Sequence, residues 1–168
     1  MDLIGFLLDL MTDPFTYGIV FFIYVILAAI ILPIPVEIGL FNPYFHPIGL
    51  IIILAIGKGI GAFIVFHIGG GLRRTMKKWS IGPSFTKKII DACETFVKRY
   101  GYIGLFIIMS IPLMVDSITL YLFSLLNPKT NGRSAMQGRF FVLINIAAGF
   151  VRGSIILGLF YLIDIKLV

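Results

Sequence analysis

The stretch LPIPVEIGLFNP, Leu32 to Pro43, contains three prolines and one glutamate directly after a run of apolar residues. Proline removes a backbone donor and clashes with the preceding helical turn. Together with Pro47, these prolines exclude regular helix from Leu32 to about Ile48, although the segment stays apolar. A proline-broken apolar segment that carries an acid predicts a hairpin or a partly embedded loop.

The composition of the chain indicates a lipid environment. Hydrophobic residues make up 59% of the 168 residues and charged residues 13%, against roughly 45–50% and 25% in soluble domains. Four apolar blocks approach or exceed the ~20 residues that cross a bilayer as helix. They are Tyr17 to Leu32, Ile48 to Ile68, Tyr102 to Leu126 and Phe140 to Ile163. We therefore expect one all-α integral membrane domain over residues 1–168, multi-pass in the cell membrane, with residues 1–14 as an interfacial segment.

The basic residues cluster between the apolar blocks. Residues 73–99 hold eight lysines and arginines against Asp91 and Glu94, so the positive-inside rule makes this connection cytoplasmic. Its second part, Ser84 to Tyr100, has apolar residues at helical spacing with lysines opposite. This pattern predicts an amphipathic helix on the membrane surface; a solvated connector is the alternative. The net charge of +6 then points to anionic lipid head groups as partners rather than to nucleic acid.

A second basic connection, residues 127–139, carries three bases and no acid. If the block Tyr102 to Leu126 crossed the membrane once, this connection would lie outside, against the positive-inside rule. A turn at Pro112 places both basic connections on the cytoplasmic side. We therefore predict a re-entrant hairpin, which is tolerated at membrane depth only where protein or a water-filled cavity covers the broken backbone. The chain then divides into three parts. Residues 15–71 form a first helix, a broken segment and a second helix; residues 72–100 form a basic amphipathic connection; and residues 101–168 form a second hairpin and helix.

The two broken regions resemble each other. Pro33 to Glu37 (PIPVE) and Pro112 to Asp116 (PLMVD) share P-x-x-V followed by an acid, and an Asn-Pro pair follows each. An apolar helix with G-x-x-x-G and one base comes next in both cases. These residues are Gly57, Lys58 and Gly61 in the first helix, and Gly149, Arg152 and Gly153 in the second. Inverted repeats of this kind, with broken helices, are the architecture of many transporters, whose sites lie at the repeat interface. Coincidence among apolar sequences of low diversity is the alternative.

Four ionisable residues lie inside apolar sequence: Glu37, Lys58, Asp116 and Arg152. Each Asp, Lys or Arg at the centre of a membrane helix costs about 2.5–3.5 kcal/mol, so such groups face protein or water and have partners. Two pairings are open, either Glu37 with Lys58 and Asp116 with Arg152, or crosswise between the repeats. As structural salt bridges the four residues would lock the hairpins. As functional groups they would line a polar cavity, in which the bases bind an anionic head group and an acid exchanges a proton.

The remaining motifs are best explained by backbone geometry and packing. The prolines Pro33, Pro35 and Pro112 break the helices, and the glycines Gly57, Gly61, Gly149 and Gly153 permit close helix contact. GGGLRR, residues 69–74, lacks the P-loop pattern and predicts a helix end with interfacial arginines. The sequence shows neither a hydrolytic triad nor a nucleotide or metal-ligand motif. We therefore expect neither enzymatic activity nor a cofactor.

The order of these features resembles the DedA family, also called VTT-domain or SNARE-associated membrane proteins. PIPVE matches the family's P-x-P-x-E, and Gly61 through FHIG (66–69) its G-D-x-x-x-Y-x-I-G. FVKRYGYIGLF (96–106) resembles its F-x-x-x-G-x-x-x-x-F, with one more residue before the glycine. Pro112 matches the proline of R-F-x-P-x-x-R, and Met136 with FFVLINIAAG (140–149) matches the late M-x-x-x-x-F and N-x-x-G-A region. The resemblance covers about Pro33 to Tyr161.

The chain also departs from the pattern of that family. The aspartate after the glycine is Ala62, and the two arginines flanking the proline fall on Met109 and Val115. Of the family's charged residues only Glu37 is carried over, while Arg152 falls where the family often has tryptophan. Either the charge network has been relocated, or this is a divergent branch with a different substrate.

The resemblance implies movement of lipids across the bilayer, by flippases of polyprenyl-phosphate carriers or by phospholipid scramblases, linked in some members to proton motive force. We therefore expect a flippase or scramblase for an anionic lipid, with membrane lipids and protons as partners and with a homo-oligomer allowed. A small-molecule or multidrug exporter is the runner-up. A non-transport membrane scaffold with buried structural salt bridges is the alternative from another class.

Overall fold

The computed structural model describes residues 12–32, 34–79, 84–127, 129–130, 133–134 and 136–163. Five α-helices lie in this part of the chain: α1, Pro14–Ile30; α2, Pro47–Trp79; α3, Ser84–Ser110; α4, Asp116–Leu125; and α5, Gly138–Ile163. A 3-10 helix, Val36–Leu40, lies between α1 and α2. Strands β1, Lys129–Thr130, and β2, Arg133–Ser134, form a short antiparallel ribbon before α5. The all-helical class predicted from composition is confirmed.

Helix α1 begins at a capping residue and a proline. The Asp13 carboxylate accepts a hydrogen bond from the Thr16 amide at 3.0 Å, and Pro14 occupies the first turn. Both features are favoured at helix starts, because the first amides of a helix lack partners within it. The hydrogen bonds from Thr16 also lower the pKa of Asp13 below its ordinary value.

The broken segment after α1 turns back along that helix. The Tyr24 hydroxyl donates to the Pro35 carbonyl at 3.0 Å, and the Tyr17 hydroxyl donates to the Gly39 carbonyl at 2.8 Å. Later residues of the segment therefore lie beside earlier residues of α1. The interruption predicted at the prolines is present, and Pro33 itself lies outside the described residues.

Helix α2 packs on α1 and runs in the same direction. A Cβ added to Gly57 would lie 2.8 Å from Val25 Cγ1, and one added to Gly61 would lie 2.4 Å from the Cβ of Ala29. Both distances are far shorter than side-chain contacts allow, so these two glycines lie where the backbones of α1 and α2 approach each other.

Helix α2 continues well past the apolar block, to Trp79. The helix end predicted at GGGLRR is wrong, because residues 69–74 are helical. Glycine costs about 1 kcal/mol relative to alanine inside a helix, which weakens a helix without ending it. Gly69 has a packing role, since an added Cβ would lie 2.0 Å from Ser124 Oγ of α4.

Helix α3 consists of two arms that meet at Gly101. This residue has φ +37° and ψ −116°, a conformation that favours glycine because it has no Cβ. The first arm contains the helix predicted over Ser84 to Tyr100. The side chains of residues 84–94 are outside the described part of the chain, and so is most of the amphipathic face predicted there.

The second arm of α3 ends at Ser110, and the chain returns through α4. The break predicted at Pro112 lies between these two helices. Phe123, near the end of α4, lies beside α3: its ring centroid is 6.1 Å from that of Phe96, and a Cβ added to Gly104 would lie 3.7 Å from its Cζ. Helix α4 therefore runs back along α3.

Helix α5 packs on α2 in the opposite direction. A Cβ added to Gly149 would lie 2.9 Å from Ala55 Cα, and one added to Gly153 would lie 3.2 Å from Ile51 Cγ1. Towards the start of α5, the ring of Phe141 lies 5.1 Å from that of Phe66. The two G-x-x-x-G motifs thus serve different contacts, α1 with α2 and α2 with α5.

The asparagines of the two Asn-Pro pairs are buried and hold turns. Asn127 Nδ2 donates to the Met136 carbonyl and its Oδ1 accepts from the Met136 amide, both at 2.8 Å. Asn42 Oδ1 accepts from the Tyr44 amide at 2.8 Å. Each asparagine therefore shapes the connection that leads into a long helix, α2 or α5.

Within the described residues, two helices are long and apolar enough to cross a membrane, over Pro47–Gly71 of α2 and Gly138–Phe160 of α5. Helix α1 is apolar but has only 17 residues. Large apolar side chains are exposed on every helix, among them Phe15, Ile23, Ile52, Ile103, Ile118 and Leu143. An outer surface of this kind is compatible with a membrane protein.

Candidate functional site

The four ionisable residues found in apolar sequence lie together in the structure. Glu37 belongs to the 3-10 helix, Lys58 to α2, Asp116 to the first turn of α4 and Arg152 to α5. Their exposed fractions are 3%, 1%, 4% and 0%, respectively. Removing each charge from water costs several kcal/mol, so the arrangement depends on mutual pairing. We refer to these four residues as the charge cluster.

Arg152 occupies the centre of the charge cluster. Its Nε donates to Glu37 Oε1 at 2.5 Å, and its Nη2 forms an ion pair with the same oxygen. Its Nη1 donates to Asp116 Oδ1 at 2.7 Å. The planar guanidinium suits this role because its donors point in several fixed directions. One side chain of α5 therefore binds the acids of both broken segments.

Lys58 extends the charge cluster to α2. Its Nζ lies 3.2 Å from Asp116 Oδ1 and donates to the carbonyl of Met109 at 3.2 Å. Asp116 therefore accepts hydrogen bonds from both bases. Its position at the start of α4 adds a further favourable interaction, because the amino end of a helix carries partial positive charge.

The observed pairing combines the two patterns that the sequence left open. Asp116 pairs with Arg152, as in the first pattern, while Glu37 pairs with Arg152 and Lys58 with Asp116, as in the crosswise one. The four side chains contact one another directly. Two acids and two bases leave the charge cluster formally neutral.

The charge cluster also binds backbone groups at the Pro112 break. The Leu113 amide donates to Glu37 Oε1 at 2.8 Å, and Arg152 Nη2 donates to the Met114 carbonyl at 2.9 Å. Lys58 also donates to the Met109 carbonyl. Three of the four charged residues therefore bind backbone groups that have no helical partner at the break. Such groups need partners when they are buried. Sequence reasoning assigned the charges to each other and missed these contacts.

Leu113 is strained at the tip of the second broken segment. Its φ is +62°, in the left-handed region that non-glycine residues rarely adopt, and its side chain is exposed. Strain of this kind costs about 1–3 kcal/mol and persists only where the surroundings impose it. The Glu37 hydrogen bond to the Leu113 amide is one of the contacts that impose it.

Three buried side-chain oxygens in the described part have no hydrogen-bond partner: Glu37 Oε2, Asp116 Oδ2 and Asn145 Oδ1. Asn145 was missed in the sequence. It lies on α5, fully buried, seven positions before Arg152, which is about two helical turns. Its Nδ2 donates to the Phe141 carbonyl at 2.8 Å. An asparagine in an apolar helix on the face of a buried arginine was the available signal. The two carboxylate oxygens can each accept a hydrogen bond from a donor that enters the charge cluster.

No group of three or more His, Cys, Asp or Glu side chains in the described ranges could hold a metal ion. The chain matches no protein-family model, no curated protein and no solved structure.

Proposed function

We propose that the chain is a multi-pass membrane protein that moves an anionic lipid, such as a polyprenyl phosphate or a phospholipid, between the leaflets of the bilayer. The observation that carries this proposal is the position of Arg152, which binds the acids of both broken segments. Arginine binds phosphate through the same donors that it offers to carboxylates. A lipid phosphate can therefore compete with Glu37 and Asp116 for Arg152, and substrate binding would release the broken segments.

The directions of the helices support an inverted repeat of two re-entrant hairpins. Each half consists of a helix, a broken return and a second helix, and the two long helices α2 and α5 are antiparallel. In transporters with inverted repeats the substrate site lies between the halves, on broken helices. The charge cluster lies in the corresponding place, with one acid and one base from each half.

The contacts at one end of the long helices support a cytoplasmic location for both basic connections. Phe66 of α2 packs on Phe141 of α5, so the carboxyl end of α2, where the basic segment 73–99 begins, and the basic connection that leads into α5 lie at the same end. By the positive-inside rule that end faces the cytoplasm.

Charge balance predicts how protons enter the mechanism. The charge cluster is neutral, so a phosphate held by Arg152 and Lys58 adds negative charge to a buried site, which is costly unless it is compensated. Proton uptake by Glu37 or Asp116 would restore neutrality and free the bases from their carboxylate partners. The lipid chain would remain in the bilayer while the head group crosses. Movement would be driven by a proton gradient or would run downhill.

The resemblance to the DedA family supports the same function, because Glu37 lies in the stretch that matches the family's P-x-P-x-E motif. The other three charged residues have no counterpart in that pattern. They would give this chain its own way of binding the head group.

A non-transport scaffold is the second candidate, and the closed contacts of the charge cluster favour it. Every basic group in the charge cluster binds a carboxylate, and the charges also hold the backbone at the Pro112 break. In a scaffold these contacts would serve stability alone. One argument stands against this candidate. Buried ion pairs contribute little to stability compared with apolar packing, so stability alone is a weak reason for burying four charges, and a functional role is favoured.

Reconstitution separates these two candidates. The full chain is placed in liposomes that contain a trace of fluorescent phosphatidylglycerol or phosphatidylcholine, and dithionite bleaches the outer leaflet. We expect bleaching to proceed beyond the outer-leaflet fraction, faster for the anionic lipid. If bleaching matches protein-free liposomes, and a polyprenyl phosphate is not moved either, the scaffold is the better account. Release of inorganic phosphate from a lipid phosphate would instead indicate an enzyme.

A further inference from the structure

A cleft separate from the charge cluster lies between α2 and α5, near the Phe66 and Phe141 contact. Its volume is about 660 Å³. Most of its wall is apolar, and two polar side chains lie at its edge. The residues that matter are the apolar Phe63, Phe66, Val142 and Leu143 and the polar His67 and Arg139.

Arg139 supplies the charge of this cleft. Its side chain is exposed, and no carboxylate within the described ranges forms an ion pair with it. His67 Nδ1 lies 2.8 Å from the carbonyl oxygen of Phe63, one helical turn earlier, so the imidazole ring is held at the wall of the cleft. The planar guanidinium of Arg139 offers several donors in fixed directions, which suits an anion with several oxygens.

The apolar wall identifies the kind of anion. Phe63 and Leu143 are 54% and 57% exposed on helices that are long enough to cross a membrane. A free phosphate would leave this wall uncovered, whereas an acyl chain would cover it. Arg139 also lies in the first turn of α5, within the basic connection and at the expected depth of the head groups.

We propose that this cleft binds a phospholipid with an anionic head group, with its phosphate at Arg139 and an acyl chain along Phe63 and Leu143. The proposal requires a bilayer around α2 and α5 but no transport, so it can hold if the charge cluster proves structural. The bound lipid would cover the contact between the two long helices.

Native mass spectrometry of the full chain tests this proposal. The purified protein is titrated with dioleoyl phosphatidylglycerol or dioleoyl phosphatidylcholine, and retained lipids are counted. Arg139→Gln removes the charge of the cleft, and Lys166→Gln removes a base that lies outside both basic connections of the sequence. We expect Arg139→Gln to weaken phosphatidylglycerol retention about tenfold, the usual effect of losing a hydrogen bond to a charged group, and Lys166→Gln to leave it unchanged.

A second measurement locates the lipid in the wild-type protein. Phosphatidylglycerol with a diazirine on its acyl chain should crosslink to peptides that contain residues 63–67 or 138–143. Inorganic phosphate in excess should not displace it. Equal retention of both lipids, equal loss in both variants, crosslinks elsewhere, or displacement by inorganic phosphate would each overturn the proposal. Thermal unfolding of both variants checks that they are folded.

Discussion

Arg152 and Glu37 are 115 positions apart in the chain, and Arg152 Nε donates a 2.5 Å hydrogen bond to Glu37 Oε1. The same oxygen accepts the Leu113 amide at 2.8 Å. One carboxylate atom of the first broken segment therefore connects α5 to the tip of the second. These contacts stabilise the fold, and in the proposed mechanism a lipid phosphate replaces them. Substitutions at Glu37 and Arg152 therefore need separate measurements of stability and of transport.

Substitutions of Glu37 and Arg152 should have non-additive effects on the free energy of unfolding. Arg152→Met leaves two buried carboxylates with a single lysine, so we expect the free energy of unfolding to fall by about 3–5 kcal/mol. Glu37→Gln should cost less, because an amide oxygen can still accept from Leu113. The double variant should recover about 0.5–3 kcal/mol relative to the sum of the single losses. Unfolding by SDS titration measures all three; additive losses would contradict the pairing.

The glycines at helix contacts should not tolerate alanine. A Cβ at Gly61 or Gly149 would lie 2.4 Å from the Ala29 Cβ or 2.9 Å from Ala55 Cα. We expect Gly61→Ala and Gly149→Ala to lower the free energy of unfolding by about 1–3 kcal/mol through overpacking.

Gly158→Ala is the matched control for these glycine variants. This helical glycine of α5 has no described atom within 4 Å of an added Cβ. Alanine has the higher helix propensity, so Gly158→Ala should be neutral or stabilising by up to about 1 kcal/mol. Thermal unfolding in detergent compares the three variants, and equal effects would argue against the described helix contacts.

The variant Leu113→Gly should be more stable than Leu113→Val. Its φ of +62° is strained for any residue with a Cβ, and its side chain is 69% exposed, so little packing is lost on truncation. We expect Leu113→Gly to raise the melting temperature and Leu113→Val, which is β-branched, to lower it. The reverse order would show that Leu113 does not adopt this conformation.

The sequence predicted where the chain breaks but not how the breaks are held. Proline chemistry located both interruptions, and the cost of charge in apolar sequence identified Glu37, Lys58, Asp116 and Arg152 as partners. Pairing rules could not show that Arg152 binds both acids, because that depends on how the two halves dock. The same limit applies to Asn145 and to the backbone contacts at Pro112. The helix through residues 69–74 was missed because packing on Ser124 outweighs the weak propensity of glycine.

Proton uptake should accompany binding of a lipid phosphate. A monoanionic head group added to the neutral charge cluster requires about one proton to keep it neutral. Binding should therefore tighten as the pH falls, since the bound state holds more protons. A pH-sensitive dye in weakly buffered solution, with a short-chain lipid phosphate as ligand, measures the uptake. Glu37→Gln should reduce it, and binding without any uptake would contradict the mechanism.

The most direct test of the account is the transport rate of Glu37→Gln in liposomes, measured by dithionite bleaching of fluorescent phosphatidylglycerol. Asp13→Asn is the matched control, because it also removes one carboxylate but lies exposed at the start of α1, where asparagine still caps the helix. We predict that Glu37→Gln abolishes lipid movement while the protein remains folded and extractable, and that Asp13→Asn moves lipid at the wild-type rate. Wild-type movement by folded Glu37→Gln would contradict the central role of the charge cluster.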